Sequence, residues 1–253
     1  MKLDNATILK LAEHLENAEL QAHDVTKITN DYPDMDWDDA YAIQDEIRRR
    51  KEARGNKIAG LKCGLTSFAK MKQMGVETPV FGFVADYMSR PDGGEIKHSE
   101  LIHPKVEAEI CIVTKAPLKG PGCHVGAVMA AVDFVLPAVE IIDSRYRDFK
   151  FDLKSVIADN TSSSRFVIGG NMRKLDELDR YLVMMKNMRS AMPSGSQPPV
   201  RILVTLAANM GHSMAASPTK RAPVAHIGQC HPTRVRSTRS AEVRTKSVVT
   251  ARP

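Results

Sequence analysis

The sequence predicts an α+β fold: a small N-terminal helical lobe, a mixed β domain, and a tail of different character. Three observations predict it. The two long stretches of helically spaced apolar residues fall within the first 54 positions. Period-two alternation dominates the middle of the chain. The charge balance then changes abruptly near Lys186. The organisation follows as 1–75 for the helical lobe, 76–185 for the β domain and 186–253 for the tail.

In the helical lobe, Ile8, Leu11, Ala12, Leu15 and Ala18 recur at the helical period, and Asp4 or Asn5 can cap, so a helix is expected over 5–21. A polar turn at Asn30-Asp31-Tyr32-Pro33-Asp34 follows. Asp36 then caps a second helix that runs to Arg54, with Trp37, Ala40, Tyr41, Ile43 and Ile47 as its apolar stripe and Gly55 as its stop. The run Arg48-Arg49-Arg50-Lys51 falls in the last turns, where cations complement the helix dipole. Strands are expected over 57–62, 80–88 (strand or loop), 106–114, 135–143 and 166–168. Short helices are expected over 68–74, 125–131 and 152–158.

The strand over 106–114 carries the chemistry. On a strand, residues two apart share a face, so His103, Lys105, Glu107 and Glu109 point one way and Val106, Ala108, Ile110 and Ile112 the other. Glu140 sits in an apolar run, Val135-Leu136-Pro137-Ala138-Val139-Glu140-Ile141-Ile142. Burying such a carboxylate without a partner costs several kcal/mol, on the order of one desolvated ion. Glu-x-Glu on a strand is commonly a solvated face, and a lone buried Glu commonly finds a cation, for which Arg145 and Lys105 are available. A hard divalent ion would satisfy all three carboxylates at once.

The 253 residues allow one large or two small domains, and 43% hydrophobic content allows a sizeable core. No stretch approaches the roughly 18 apolar residues of a membrane span. Met1-Lys2-Leu3-Asp4-Asn5 opens no secretory signal. Cys63, Cys111, Cys123 and Cys230 have no paired or zinc-like spacing, so they read as reduced thiols of a cytoplasmic protein. The net charge of +6 conceals two unlike parts: residues 186–253 hold 11 Lys and Arg against the single acid Glu242, and the rest holds 25 of the 36 basic and 29 of the 30 acidic residues. That last part has no Phe, Trp or Tyr and reads as disordered apart from 200–210, where a short helix or strand fits. It is open to three readings: a nucleic-acid arm, disfavoured because no aromatics interleave with the charges; a solvated extension; or an out-of-frame translation.

Lys105-x-Glu107-x-Glu109, Glu140-Ile141-Ile142-Asp143-Ser144-Arg145 and Ala158-Asp159-Asn160-Thr161-Ser162 together resemble the fumarylacetoacetate hydrolase superfamily, in its branch of meta-cleavage-pathway hydratases and decarboxylases. Asn30 to Met35 and Gly60-Leu61-Lys62-Cys63-Gly64-Leu65-Thr66-Ser67 are similar to members that decarboxylate 2-oxo-3-hexenedioate. The resemblance runs from about residue 5 to about residue 182. It implies a β-barrel or β-roll and a divalent metal, usually Mg²⁺ with Mn²⁺ open, on Glu107, Glu109 and Glu140. It also implies a substrate-contacting, catalytic Lys62 with Thr66, Ser67 and Ser162 nearby. Lys105 or Arg145 would hold the second carboxylate or neutralise the acid cluster, and His103 is a further ligand contact to consider.

Where related hydratases carry Pro-Asp-Phe-Gly, this chain has Pro79-Val80-Phe81-Gly82. Val80 cannot transfer a proton, so decarboxylation to 2-hydroxypenta-2,4-dienoate is expected over hydration of that dienoate. The partners implied are a small dicarboxylate keto acid, further copies of the chain and the pathway hydratase; no nucleic acid or membrane is expected. Past Leu182 the family's strands and Gly-Gly-Ile-Thr-type segment are missing, which favours the out-of-frame reading and raises the alternative of an inactive homologue.

Overall fold

The computed structural model describes residues 1–66, 68, 71, 72 and 75–175, and the backbone of 201–205. Ser67 and most of the helix expected over 68–74 therefore lie outside the described residues, as does the tail apart from 201–205.

Two helices open the chain. The first, α1 (Asn5–Leu20), starts at Asp4, whose carboxylate accepts from the Thr7 N–H at 2.8 Å. The second, α2 (Trp37–Ala53), starts in a reciprocal box in which the Asp36 and Asp39 carboxylates each accept from the other's backbone N–H at 2.9 Å. Gly55, at φ +89°, lets the chain turn away. The basic run on α2 does more than complement the dipole. Arg50 and Arg54 each lie 2.6 Å from Glu16 of α1, and the buried Lys51 lies 2.7 Å from Glu19. These cations face α1, so the two helices are joined by ion pairs at the edge of their apolar contact.

Among the described residues seven strands follow: β1 (Ile58–Gly64), β2 (Val80–Ala85), β3 (Ser89–Arg90), β4 (Pro104–Thr114), β5 (Val132–Asp143), β6 (Ser163–Ile168) and β7 (Arg201–Thr205). The short helices with fully described bounds are α3 (Val125–Ala131) and α4 (Leu153–Ala158). The strands form one mixed sheet in the order β2-β1-β7-β4-β5-β6-β3. Every expected strand is present: those over 106–114, 135–143 and 166–168 begin two or three residues earlier than the apolar patterns indicated, that over 57–62 is shifted to 58–64, and that over 80–88 ends at Ala85, where a turn over Asp86–Met88 takes over. Within 200–210 the short element is β7, which pairs parallel to β1 and antiparallel to β4.

The sheet is coiled. Its edges, β2 and β3, are separated in sequence only by a turn over Asp86–Met88. A flat sheet of this order would hold them about 29 Å apart at about 4.8 Å per strand. Four Cα steps reach at most about 15 Å. The sheet must therefore roll, and β2 comes to lie near β6. No ladder joins β2 to β3 among the described residues, so the barrel expected from the resemblance is not closed by strand pairing.

Rolling gives the sheet an inside and an outside. Val84, Met88, Cys111, Ala138 and Phe166 form the inner apolar cluster. Outside, α1, α2 and α4 cover β1 and β2 through Leu15, Ile43, Ile47, Phe83 and Ile157. Val128 of α3 packs on Ile112 and Val135. The alternation in β4 holds, but its outer face is buried only toward the C-terminal end: Ile112 is 1% exposed and Val106 72%. No described helix is long and apolar enough to cross a membrane.

Candidate metal centre and ligand site

The register of β4 and β5 builds the site. Glu107 lies directly opposite Glu140, and Glu109 lies opposite Ala138 on the same inner face. Directly opposed side chains on a sheet stand about 5 Å apart at Cβ, and like charges so placed repel. A carboxylate oxygen from each of Glu107, Glu109 and Glu140 lies within 4.8 Å of the other two. Glu109 and Glu140 are buried, at 5% and 1% exposure, and Glu107 is the more open.

The cation that answers Glu140 is Lys62, a residue of β1 that is itself only 3% exposed. Its Nζ lies 2.7 Å from Glu140 Oε1 and donates to the Thr161 carbonyl oxygen at 3.1 Å. Glu140 Oε2 is buried and accepts no hydrogen bond. Burial raises the Glu140 carboxyl above its ordinary value; Lys62 opposes the rise and the Glu107 charge adds to it. The nearby Cys63 thiol is pushed up to about 12, mainly by burial, so it offers no thiolate nucleophile.

Arg145 does not serve Glu140. It is buried against Asp159, and its Nη1 donates to the carbonyls of Asp143 at 2.7 Å and Ser163 at 2.9 Å. Glu140 and Lys62 share the inner face, whereas Arg145 lies beyond the end of β5 where the chain has left the sheet. Lys105 is exposed, with its ammonium 3.4 Å from the Phe149 ring centroid. Ser162 is 2% exposed, and its hydroxyl makes no hydrogen bond. Thr66 is half-buried just past the end of β1. His103 gives its backbone N–H to Asp143 at 2.5 Å, and its ring lies 3.7 Å from Asp24. His124 caps α3 by accepting from the Ala127 N–H at 3.2 Å. Val80 is buried in the cluster beneath the helices.

Residues around Lys62 that the sequence reading did not assign are Gly82 and Asn160. Gly82 is the register partner of Lys62. A Cβ there would meet Thr161 Oγ1 at 2.4 Å and Asn160 Oδ1 at 2.8 Å. The available signal was an isolated glycine inside an apolar strand, which marks close approach of another segment. Beyond the carboxylates, a cavity of about 140 Å³ continues the inner face between Ala59, Val84, Cys111 and Phe166, with Asp86 and Ser89 at its polar end. Cys111 is one same-face step past Glu109, and Phe166 is the register partner of Glu140. The carboxylates therefore sit over an apolar floor, where charge interactions are strong.

No family model matches the chain. Over 188 residues it is 66% identical to a 4-oxalocrotonate decarboxylase of Pseudomonas putida, covering 73% of this chain and 71% of the relative. A second 4-oxalocrotonate decarboxylase, from Pseudomonas sp. (strain CF600), is 66% identical over 71% of this chain and 69% of its own length. The chain belongs to the 4-oxalocrotonate decarboxylase family. A solved family structure, the Pseudomonas putida G7 enzyme complexed with magnesium and adipate, superposes with a TM-score of 0.74 at 53% identity. That match covers 81% of this chain and 88% of the other, and it places the mixed α+β fold of this chain with the family. Hydratases are more distant: a 2-hydroxyhexa-2,4-dienoate hydratase of Comamonas testosteroni is 35% identical over 76% of this chain and 74% of the relative.

Proposed function

We propose that this chain decarboxylates 2-oxo-3-hexenedioate to 2-hydroxypenta-2,4-dienoate with a divalent ion, Mg²⁺ or Mn²⁺, held by Glu107, Glu109 and Glu140. The observation that carries the reading is the convergence of these three carboxylates within 4.8 Å in a rolled sheet. Three carboxylates against one lysine leave two negative charges, which a divalent ion offsets. The donor set is all oxygen, as Mg²⁺ and Mn²⁺ prefer, and Glu140 Oε2 is buried without another partner. The relatives of highest identity reported above bear the decarboxylase name, and the solved one binds magnesium with a six-carbon dicarboxylate.

In the reaction the C5–C6 bond breaks, CO₂ departs, and the electron pair left on carbon 5 runs through the 3,4 double bond to the 2-oxo oxygen, which gains a proton. The bound ion supplies a Lewis-acid sink for that charge. Lys62 adds a fixed positive charge in a site shielded from water, where an ammonium stabilises developing oxyanion charge. Of its three N–H groups, two serve Glu140 and Thr161, leaving one for substrate. Ser162, Thr66 and Ser67 are assigned to substrate contacts beside it, and Lys105 at the outer rim to the second carboxylate.

We further assign the chain to the fumarylacetoacetate hydrolase type of roll, to the cytoplasm, and to a homo-oligomer that associates with the pathway hydratase. Residues 186–253 are assigned to an out-of-frame reading. Supporting this, 66% identity covers about three quarters of the chain, and the composition changes at Lys186. Translating the gene's last third in the other two frames tests it: a Gly-Gly-Ile-Thr-like segment is expected, and its absence from both frames rejects it. For the activity, the purified chain is incubated with substrate with Mg²⁺ and with chelator. CO₂ release only with metal is expected. A folded, metal-loaded sample that releases none overturns the assignment, and turnover of the dienoate to 4-hydroxy-2-oxopentanoate alone makes it a hydratase.

A further inference from the structure

Asn160, Thr161 and Ser162 are consecutive non-glycine residues with φ of +49°, +51° and +58°. Left-handed backbone costs an L-residue roughly 1–2 kcal/mol, so such a run persists only where its surroundings hold it. The holding contacts are specific. The Asn160 side chain reads β2 as a neighbouring strand would: Oδ1 accepts from the Phe83 N–H at 2.8 Å, and Nδ2 donates to the Phe83 carbonyl at 2.9 Å. Gly82 lets the turn sit flat on the strand, since any side chain there would overlap it. The Ser162 N–H closes the turn on the Asp159 carbonyl at 3.0 Å. The product of this arrangement is one carbonyl, that of Thr161, placed 3.1 Å from Lys62 Nζ.

We propose that Asn160 is a positioning residue for Lys62. It clamps the left-handed turn onto Phe83, and the Thr161 carbonyl then fixes where the Lys62 ammonium stands between Glu140 and a bound dicarboxylate. Gly82 serves the same end by leaving room for the clamp. The proposal rests on the reading of Lys62 as the ligand-facing cation.

A double-mutant cycle on the full chain tests it. Adipate affinity is measured calorimetrically at saturating Mg²⁺ for the parent chain, Asn160→Ala, Lys62→Met and the double variant. Loss of one well-placed charged hydrogen bond is worth roughly tenfold. Asn160→Ala is therefore expected to weaken adipate roughly tenfold when Lys62 is present and less than about twofold when it is Met, with Mg²⁺ affinity changed little. Gly82→Ala, which displaces the turn from the other side, is expected to show the same dependence on Lys62. If Asn160→Ala does not fold, Asn160→Asp, which retains the acceptor for the Phe83 N–H, takes its place in the cycle. Equal losses in both backgrounds overturn the clamp alone. An unchanged affinity on Lys62→Met overturns the role of Lys62, and the clamp with it.

Discussion

Lys62 and Glu140 are one another's counter-ions in a site whose three carboxylates also favour a divalent cation, and that competition has measurable consequences. Lys62→Met leaves Glu140 buried without its ammonium. Breaking a buried pair from one side costs about 3–5 kcal/mol, so the variant is expected to melt well below the parent chain in chelator. Saturating Mg²⁺ supplies the missing positive charge, and the gap is expected to narrow; an equal gap with and without Mg²⁺ would exclude a shared site. On the proposed metal site, Glu140→Gln removes an anionic ligand from the most buried corner of the cluster. Mg²⁺ affinity is expected to fall roughly a hundredfold, about 2.7 kcal/mol, in a calorimetric titration. A titration superimposable on that of the parent chain would place the ion elsewhere.

Between elements, the α1–α2 contact depends on charge as well as on apolar packing. Burial alone would raise the Glu16 and Glu19 carboxyls. Arg54 and Arg50 on Glu16, and Lys51 and Arg145 on Glu19, outweigh it and hold both below the ordinary 4.5. A lowered folded value contributes stability that is present above the ordinary one and lost as pH falls through the folded one. The melting temperature is thus expected to drop as pH falls below the ordinary 4.5. Glu16→Gln should cost about 1–3 kcal/mol at neutral pH, since its arginine partners are partly exposed, and should flatten the acid limb. A parallel acid limb in the variant would show that these pairs contribute nothing there. The helices themselves were legible in the sequence because caps and periodicity are local. So was the placing of Glu107 and Glu109 on one face, because strand alternation is local too. The partner of Glu140 was not: the cations available along the chain were Arg145 and Lys105, and only the register of β1 against its neighbours puts Lys62 on the inner face beside Glu140. The turn over 160–162 was equally hidden, since it depends on the missing side chain of Gly82 on a distant strand.

At the scale of the whole molecule, the site exists because the sheet rolls, and the roll depends on a strand from the least regular part of the sequence. β1 carries Lys62, and β4 carries Glu107 and Glu109. Between them lies only β7: Leu203 is paired in register with both Lys62 and Cys111, and Thr205 with Glu109. Removing it would leave two inner strands with unpaired backbone donors and acceptors, each costly when buried, and would free the cation-bearing strand from the carboxylate-bearing one. A chain ended at Lys186 is therefore expected to lose its cooperative melt and to bind Mg²⁺ at least tenfold more weakly, with a larger insoluble fraction on expression because open strand edges pair with one another. Differential scanning calorimetry and Mg²⁺ titration check this. A shortened chain that melts cooperatively and keeps its Mg²⁺ affinity would mean that β1 and β4 are held in place by the helices and β5 alone, and that the pairing of β7 adds nothing to the site.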